Sequence, residues 1–486
     1  MATIDRDQAA HLLRRMGFGG PPEDIDDLVS RGSRDAAVDF LINYESINTQ
    51  AMEDVLARSF NWTPPLDNTK INQNEIRRRW FVRMILSKRQ FEEKMTLFWH
   101  NHFATAISKV NNEVYMQVQN DTLRKYALGR FDDLLLRVAQ DPAMLIWLDT
   151  LQNVKGKTNE NFARELQELF TMGIFDVVTG EKNYTEDDIK EIARAFTGWN
   201  FVRPNANEPF VYAFRRNDAN HDAGSKTIYS GTPFQTTGNL DGTDVIDVIA
   251  RRPATPRYLV KKLFEFFVYT LDLDSSSDRA TIDRFAKVYL NNNHSIKELV
   301  RAIFTSDEFF SDRAFYALVK TPVEFVVEPI RMLGAQFNPG GPVDGRDNSQ
   351  YARSAQLGMD VFNPPDVSGW DLNVGFINTA LMLGRYNVAN AFATNRPANV
   401  SAPGAGVTLD QLKKYTRFST KKTVNNFLSV LNVSIDKPTQ IALRSYLGKD
   451  DAGNPVTWDP STDAVVDKKI RGLIHLIMSL PEFSMN

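Results

Sequence analysis

The chain has 486 residues, enough at roughly 150 residues per domain for about three domains or for one large helical body with appendages. Hydrophobic residues make up 42% and charged residues 24%, and 57 Lys+Arg against 60 Asp+Glu leave a formal charge of −3; this is the balance of an ordinary globular protein, not of a disordered chain or a dedicated nucleic-acid binder. Cysteine is absent, which removes thiol nucleophiles, Cys-ligated zinc, iron–sulfur clusters and disulfides together.

In chain order, MATIDRDQAAHLLRRMGFGG opens with Asp5, Arg6, Asp7 and His11 where a signal peptide needs an apolar run, so a cytoplasmic chain or a processed exported one is expected. AAHLLRRM and EDIDDLVSRG read as helices. Gly17-Phe18-Gly19-Gly20 between them lacks the strand, Lys and Ser/Thr of a phosphate loop and reads as a helix stop and restart. From Asn74 to about Ala104 the period is helical, with a cationic face of Arg77, Arg78, Arg79, Arg83, Lys88 and Arg89. NENFARELQELFTMG is a further helix. In YTEDDIKEIARAFTGW, Thr185 is the expected N-cap, Asp188 its reciprocal partner, and Gly198 the terminator after Ile189, Ile192, Ala193 and Phe196 on one face.

Residues 201–232 break the helical pattern: EPFVYAFRR and KTIYSG predict two short strands of one hairpin around NDANHDAG. GTDVIDVIARR, PRYLVKKLFEFFVY, SIKELVRAIFTS and PVEFVVEPIRMLG return to helix. Asp272, Asp274, Ser276 and Asp278 mimic the opening of a calcium loop, but Ser277 stands where Gly is needed and Asp283 where a bidentate Glu belongs, so a capped loop is expected. Residues 335–371 form an irregular interval, too long for a routine connection, and read as functional or as a lid. RPANVSAPGAGV and KDDAGNPVTWDPST set off a last helical segment containing KKIRGLIHLIMSL. No run of 18 apolar residues exists; the best candidate, LVKKLFEFFVYTL, carries Lys261, Lys262 and Glu265 and does not span a membrane. The expected fold is mainly α: a helical main body, 1–395, with a small β-hairpin insertion, and a C-terminal helical segment, 396–486, packing on it.

Three constellations could carry chemistry. In FWHNHF, His100 and His102 at i and i+2 lie about 200° apart on an ideal helix, so they share a divalent metal only if the helix ends or unwinds there; the alternative is a hydrogen-bonded core imidazole and a helix-end cation. On the next, Asn161, Glu165 and Glu168 fall within about 60° of one another, opposite Phe162, Leu166 and Phe170. That face is either a metal or acid/base site, with Arg164 beside it, or a solvated polar face. In His221-Asp222-Ala223-Gly224-Ser225-Lys226, imidazole, carboxylate and ammonium either meet in a cleft or build a turn.

HLLRRMGFG, FWHNHF, NENFARELQELFTMG, YTEDDIKEIARAFTGW, HDAGSKT, RRPATPRYLVKKL, FNPPDVSGW and LIHLIMSLPEF, in this order from about His11 to Phe483, together resemble the bacterial family called domain of unknown function 1800. The resemblance implies a mostly helical protein, often exported and often encoded beside another uncharacterised family, with no activity to carry over. Relatives often read ELHTLG where this chain has Phe170, and many carry a leader.

Two functions follow as expectations. In the first, the protein is a metal-assisted hydrolase or lyase. His100 and His102 hold the metal, Glu165, Glu168, His221, Asp222 and Lys226 do acid/base and electrostatic work, and Asn161, Arg164, Trp199 and Trp370 bind a polar, carbohydrate-like substrate. In the second, it is a non-catalytic binding or assembly protein: the same polar residues form a structural network, and a polysaccharide or a protein is the partner.

Overall fold

Thr185 caps the helix Glu186–Ala195 as the sequence predicts: its side chain accepts from Asp188 N while the Asp188 carboxylate accepts from Thr185 N. The same reciprocal cap starts the helices Arg6–Arg15, Gln73–Leu86, Gly242–Arg251 and Pro322–Leu333. Local sequence thus fixes where many helices begin, and tertiary packing decides which faces they bury. The computed structural model describes residues 2–60, 71–205, 208, 210–339, 349–395 and 405–486. Among these residues the fold is mainly α, with 23 α-helices and three two-stranded antiparallel sheets. None of the described helices is long and apolar enough to cross a membrane.

The stretch from Asn74 to about Ala104 is two helices, Gln73–Leu86 and Gln90–His102, broken at Ser87, whose side chain accepts from Arg89 N. The second lies at the heart of the molecule: every residue but Glu92 is buried, although the segment carries Glu93, Lys94, His100, Asn101 and His102. A helix buried on all sides is normally apolar all round, so each of these groups needs a partner inside the protein. Around it packs an aromatic core in which Phe98 meets Phe266 and Phe267, and Trp99 meets Phe103 and Phe131.

Two sequence expectations require correction. The strands around 201–232 do not form one hairpin: Trp199–Val202 pairs with Ala213–Arg216, and Lys226–Ile228 pairs forward with Thr236–Gly238, so AFRR and KTI belong to different sheets. Between them Asn217 and the helical turn Asp218–Asn220 turn the chain away. The interval 335–371 is not a lid over its described part. It holds the helix Gln350–Gln356, and Val361, Phe362 and Trp370 are buried in the core; residues 340–348 lie outside the described residues.

In the C-terminal segment the helix Asp463–Met478 packs on Thr379–Thr394. Arg471 fastens the two by donating to the carbonyls of Ala393, Asn395 and Val407 at 3.0, 2.9 and 2.8 Å. Residues 396–404, most of the RPANVSAPGAGV break, lie outside the described residues.

Candidate functional site

The Gln90–His102 helix stays helical through His102, so the condition for a shared metal fails and the two imidazoles point apart. His100 accepts a hydrogen bond from Phe362 N–H on Nε2 at 2.9 Å, which spends the lone pair a metal would use and leaves the proton on Nδ1. Its ring sits among Trp80, Phe362 and Trp370. His102 instead donates from Nε2 to the Phe170 carbonyl at 2.9 Å, among Phe98, Trp99, Phe103, Phe170 and Tyr258. Burial pushes both imidazoles down to about 3, so both are neutral at pH 7. Among the described residues no group of three or more His, Asp or Glu side chains is arranged to hold a metal ion. His100 and His102 are two core imidazoles serving two different backbone groups, and the structure does not bring them together.

Asn101 between them completes a clamp. Its Oδ1 accepts from Trp370 N–H at 2.7 Å, and its Nδ2 donates to the Trp370 carbonyl at 3.5 Å. Gly369 comes so close that an added Cβ would collide with the Asn101 side chain and carbonyl, and its φ of +87° suits glycine alone. FWHNHF and FNPPDVSGW are thus two halves of one backbone lock.

The helix Asn161–Glu168 does present Asn161, Glu165 and Glu168 on one side, but they do not meet the histidines as ligands. Asn161 is exposed and its Nδ2 reaches Asp149 at 3.4 Å; Arg164 pairs with Glu186 at 2.8 Å and Glu160 at 3.5 Å. Glu168 accepts from the Tyr184 hydroxyl at 3.4 Å. Glu165 is half-buried, and burial first, then the neighbouring Glu168, raise its carboxyl above the usual range.

The HDAGSK stretch folds into a knot. His221 Nδ1 lies 2.9 Å from the Thr197 carbonyl and donates to it; Arg194 holds Asp222 with Nε–Oδ2 2.8 Å, which keeps that carboxyl at about 2. Lys226, buried, donates to the carbonyls of Asp222 and Gly224 at 2.5 and 3.1 Å, and burial lowers its ammonium below the ordinary lysine range. The three side chains thus serve three different partners, Thr197 O, Arg194 and the carbonyls of their own turn, and are not brought together around a cleft. Trp199 and Trp370 are buried as well, and Trp199 Nε1 donates to Asp241 at 3.0 Å, so neither offers a stacking face to a ligand.

Sequence reasoning missed the strongest electrostatics. Glu93, fully buried, accepts from Trp80 at 3.0 Å, from Arg83 at 2.9 Å and from Arg124 at 2.9 and 3.0 Å. Burial pushes its carboxyl up, and Arg124 and Arg83 overcome that to hold it at about 2. Lys94 pairs with Glu324, and Lys320 with Glu328 at 2.8 Å, both inside the core. The available signal was Glu93-Lys94 lying between Phe91 and Met95 in a helix with no polar stripe; the partners are too far away in sequence to be read by spacing.

No curated protein and no solved structure matches the chain. Residues 11–485, nearly its whole length, match the family described as Protein of unknown function (DUF1800), and the blocks that form the Asn101–Trp370 lock and the HDAGSK knot all fall within that match, so the chain belongs to this family.

Proposed function

We propose that the protein is a non-catalytic binding or assembly protein whose buried polar residues hold a rigid helical scaffold. One observation carries this reading: four side chains of FWHNHF and HDAGSK bond to backbone groups of the same chain, His100 to Phe362 N, Asn101 to Trp370 N, His102 to Phe170 O and Lys226 to Asp222 O and Gly224 O. Groups committed in this way specify a unique core, and their removal leaves buried donors or acceptors without partners.

The test is a pair of variants. His100→Ala and Lys226→Met are expected to lower stability by about 1–3 kcal/mol each in urea titrations, while elemental analysis of tag-free protein gives the same metal content as wild type. Near-stoichiometric metal in the wild type that disappears from a folded His100→Ala variant would overturn the reading.

A second reading, acid/base catalysis on a polar substrate, is favoured by one feature the scaffold does not account for. Among the described residues Glu165 accepts no side-chain hydrogen bond in return for its burial beside Glu168, and carboxylates raised in this way are common at catalytic sites. If that pair serves catalysis rather than the fold, Glu165→Gln leaves the melting temperature unchanged or raises it.

A further inference from the structure

Seven ionisable side chains are packed together in the core: Arg14, Arg15, Lys94, Lys320 and Arg385, with Glu324 and Glu328, none more than 4% exposed. The lysines take the carboxylates, Lys94 on Glu324 and Lys320 on Glu328. Two of the arginines then turn to backbone oxygens: Arg15 donates to Ala314 O at 2.6 Å and Asn486 O at 2.9 Å, and Arg385 donates to Lys320 O at 2.7 Å. Arg14 has neither. Among the described residues it pairs with no carboxylate, its Nε meets no acceptor, and its guanidinium lies 4.8 Å from the centre of the Tyr316 ring. A buried cation without a counter-charge is costly unless something supplies an anion.

Arg14 lines a cavity of about 400 Å³ between the helix Arg6–Arg15 and the helix Thr420–Val430. Its other polar lining includes Asp7, Asn425, Ser429, Asn432 and Ser434. Among the described residues the Asn432 Nδ2 is a second buried donor with no acceptor. Tyr316 and Asn432, at φ of +52° and +51°, both hold left-handed backbone, and the Tyr316 hydroxyl reaches the Asn432 carbonyl at 3.4 Å. For tyrosine that conformation is strained, and such strain is retained where the surroundings fix it, often at ligand sites.

We propose that this cavity binds a small, hydroxyl-rich molecule bearing an oxyanion, a sugar acid or a sugar phosphate. Arg14 meets the oxyanion, whose planar or tripod oxygens suit a guanidinium; the Asn425 amide and Ser429 hydroxyl donate to it or to hydroxyls, and Asp7 accepts from hydroxyls. The volume falls within the range of small-molecule sites. This deepens the binding reading and rests on it.

The experiment is calorimetric titration of the full chain with glucose 6-phosphate, glucuronate, glucose and inorganic phosphate, for wild type, Arg14→Met and Ser434→Asp, each first shown to melt cooperatively. Arg14→Met removes an unpaired buried charge, and Ser434 is exposed at the cavity, so both variants are expected to fold. The expected result is binding of one or both sugar oxyanions, weakened at least about tenfold by Arg14→Met and by about threefold in Ser434→Asp, with glucose at least about tenfold weaker. The preferred oxyanion identifies the ligand as phosphate or carboxylate. No heat from folded wild type, equal binding of glucose, full retention in Arg14→Met, or equal binding of inorganic phosphate overturns the site as proposed. A silent titration defeats this site alone, whereas metal lost from folded His100→Ala defeats the scaffold reading without reference to the cavity.

Discussion

At His102 the chain makes one hydrogen bond and forgoes another. Nε2–H reaches the Phe170 carbonyl, while Nδ1 meets no partner among the described residues inside an aromatic cage. Its folded value of about 3 lies below the unfolded value near 6.5, so its neutral form is favoured by folding. That contribution is complete above pH 6.5 and is lost progressively as pH falls toward 3, because the unfolded chain gains a proton the folded one refuses. By pH 5 the loss is about 2 kcal/mol. His102→Phe removes the titrating group and is expected to be less stable than wild type at pH 7, through the lost bond to Phe170, with the deficit narrowing by about 2 kcal/mol at pH 5. Urea midpoints of both proteins at the two pH values check this, and a constant gap would mean that the His102 imidazole is as solvated in the folded chain as in the unfolded one. The i, i+2 spacing already implied opposite directions for the two imidazoles on a continuous helix; whether the helix continued could not be read, because Phe362, the partner that holds His100, lies far along the chain.

Among elements, the Gln90–His102 and Asn161–Glu168 helices carry carboxylates of opposite character, although both read as polar positions on helical stretches. Glu93 is held by two arginines and an indole, whereas Glu165 has a second carboxylate beside it. Glu93→Gln leaves Arg83 and Arg124 under-compensated in the core and is expected to cost about 3–5 kcal/mol. Glu165→Gln relieves burial and repulsion at a half-exposed position, so melting should rise or stay level, by less than about 1 kcal/mol in stability. Thermal melts of the two variants side by side make the comparison; a large loss in Glu165→Gln would make that carboxylate structural and remove the acid/base reading. Helix starts were legible here, as at Thr185, because a cap needs only four consecutive residues. Strand pairing was not: AFRR pairs back with Trp199–Val202 and KTI forward with Thr236–Gly238 rather than with each other, since short strands are decided by what packs on them.

Over the whole molecule the ordered blocks of sequence become neighbours: FWHNHF holds FNPPDVSGW, and the closing LIHLIMSLPEF returns to the centre. Phe483, fully buried, packs on Phe325 with ring centres 5.3 Å apart, and Lys320 Nζ lies 4.1 Å from its ring centre. Lys320 N donates to the Ser484 carbonyl at 2.9 Å, and Asn486 Nδ2 donates to Glu324 at 3.0 Å. The sequence suggests a boundary near residue 395, because composition changes there; cohesion across that point is a matter of packing and leaves no local trace. We expect the boundary to separate nothing that folds alone. A chain ending at residue 395 loses Arg471, which anchors the Thr379–Thr394 helix, and uncovers Phe325 beside the paired charges of Lys94–Glu324 and Lys320–Glu328. Opening such pairs to water on one side while stripping their apolar cover removes more stability than a domain of this size holds in reserve. The full chain should therefore unfold in one transition by tryptophan fluorescence and by circular dichroism, with coincident midpoints, and the 1–395 chain should show no cooperative transition at all. Two separate transitions in the full chain, or a cooperative melt of residues 1–395, would make the C-terminal segment an independent domain docked on a self-sufficient body.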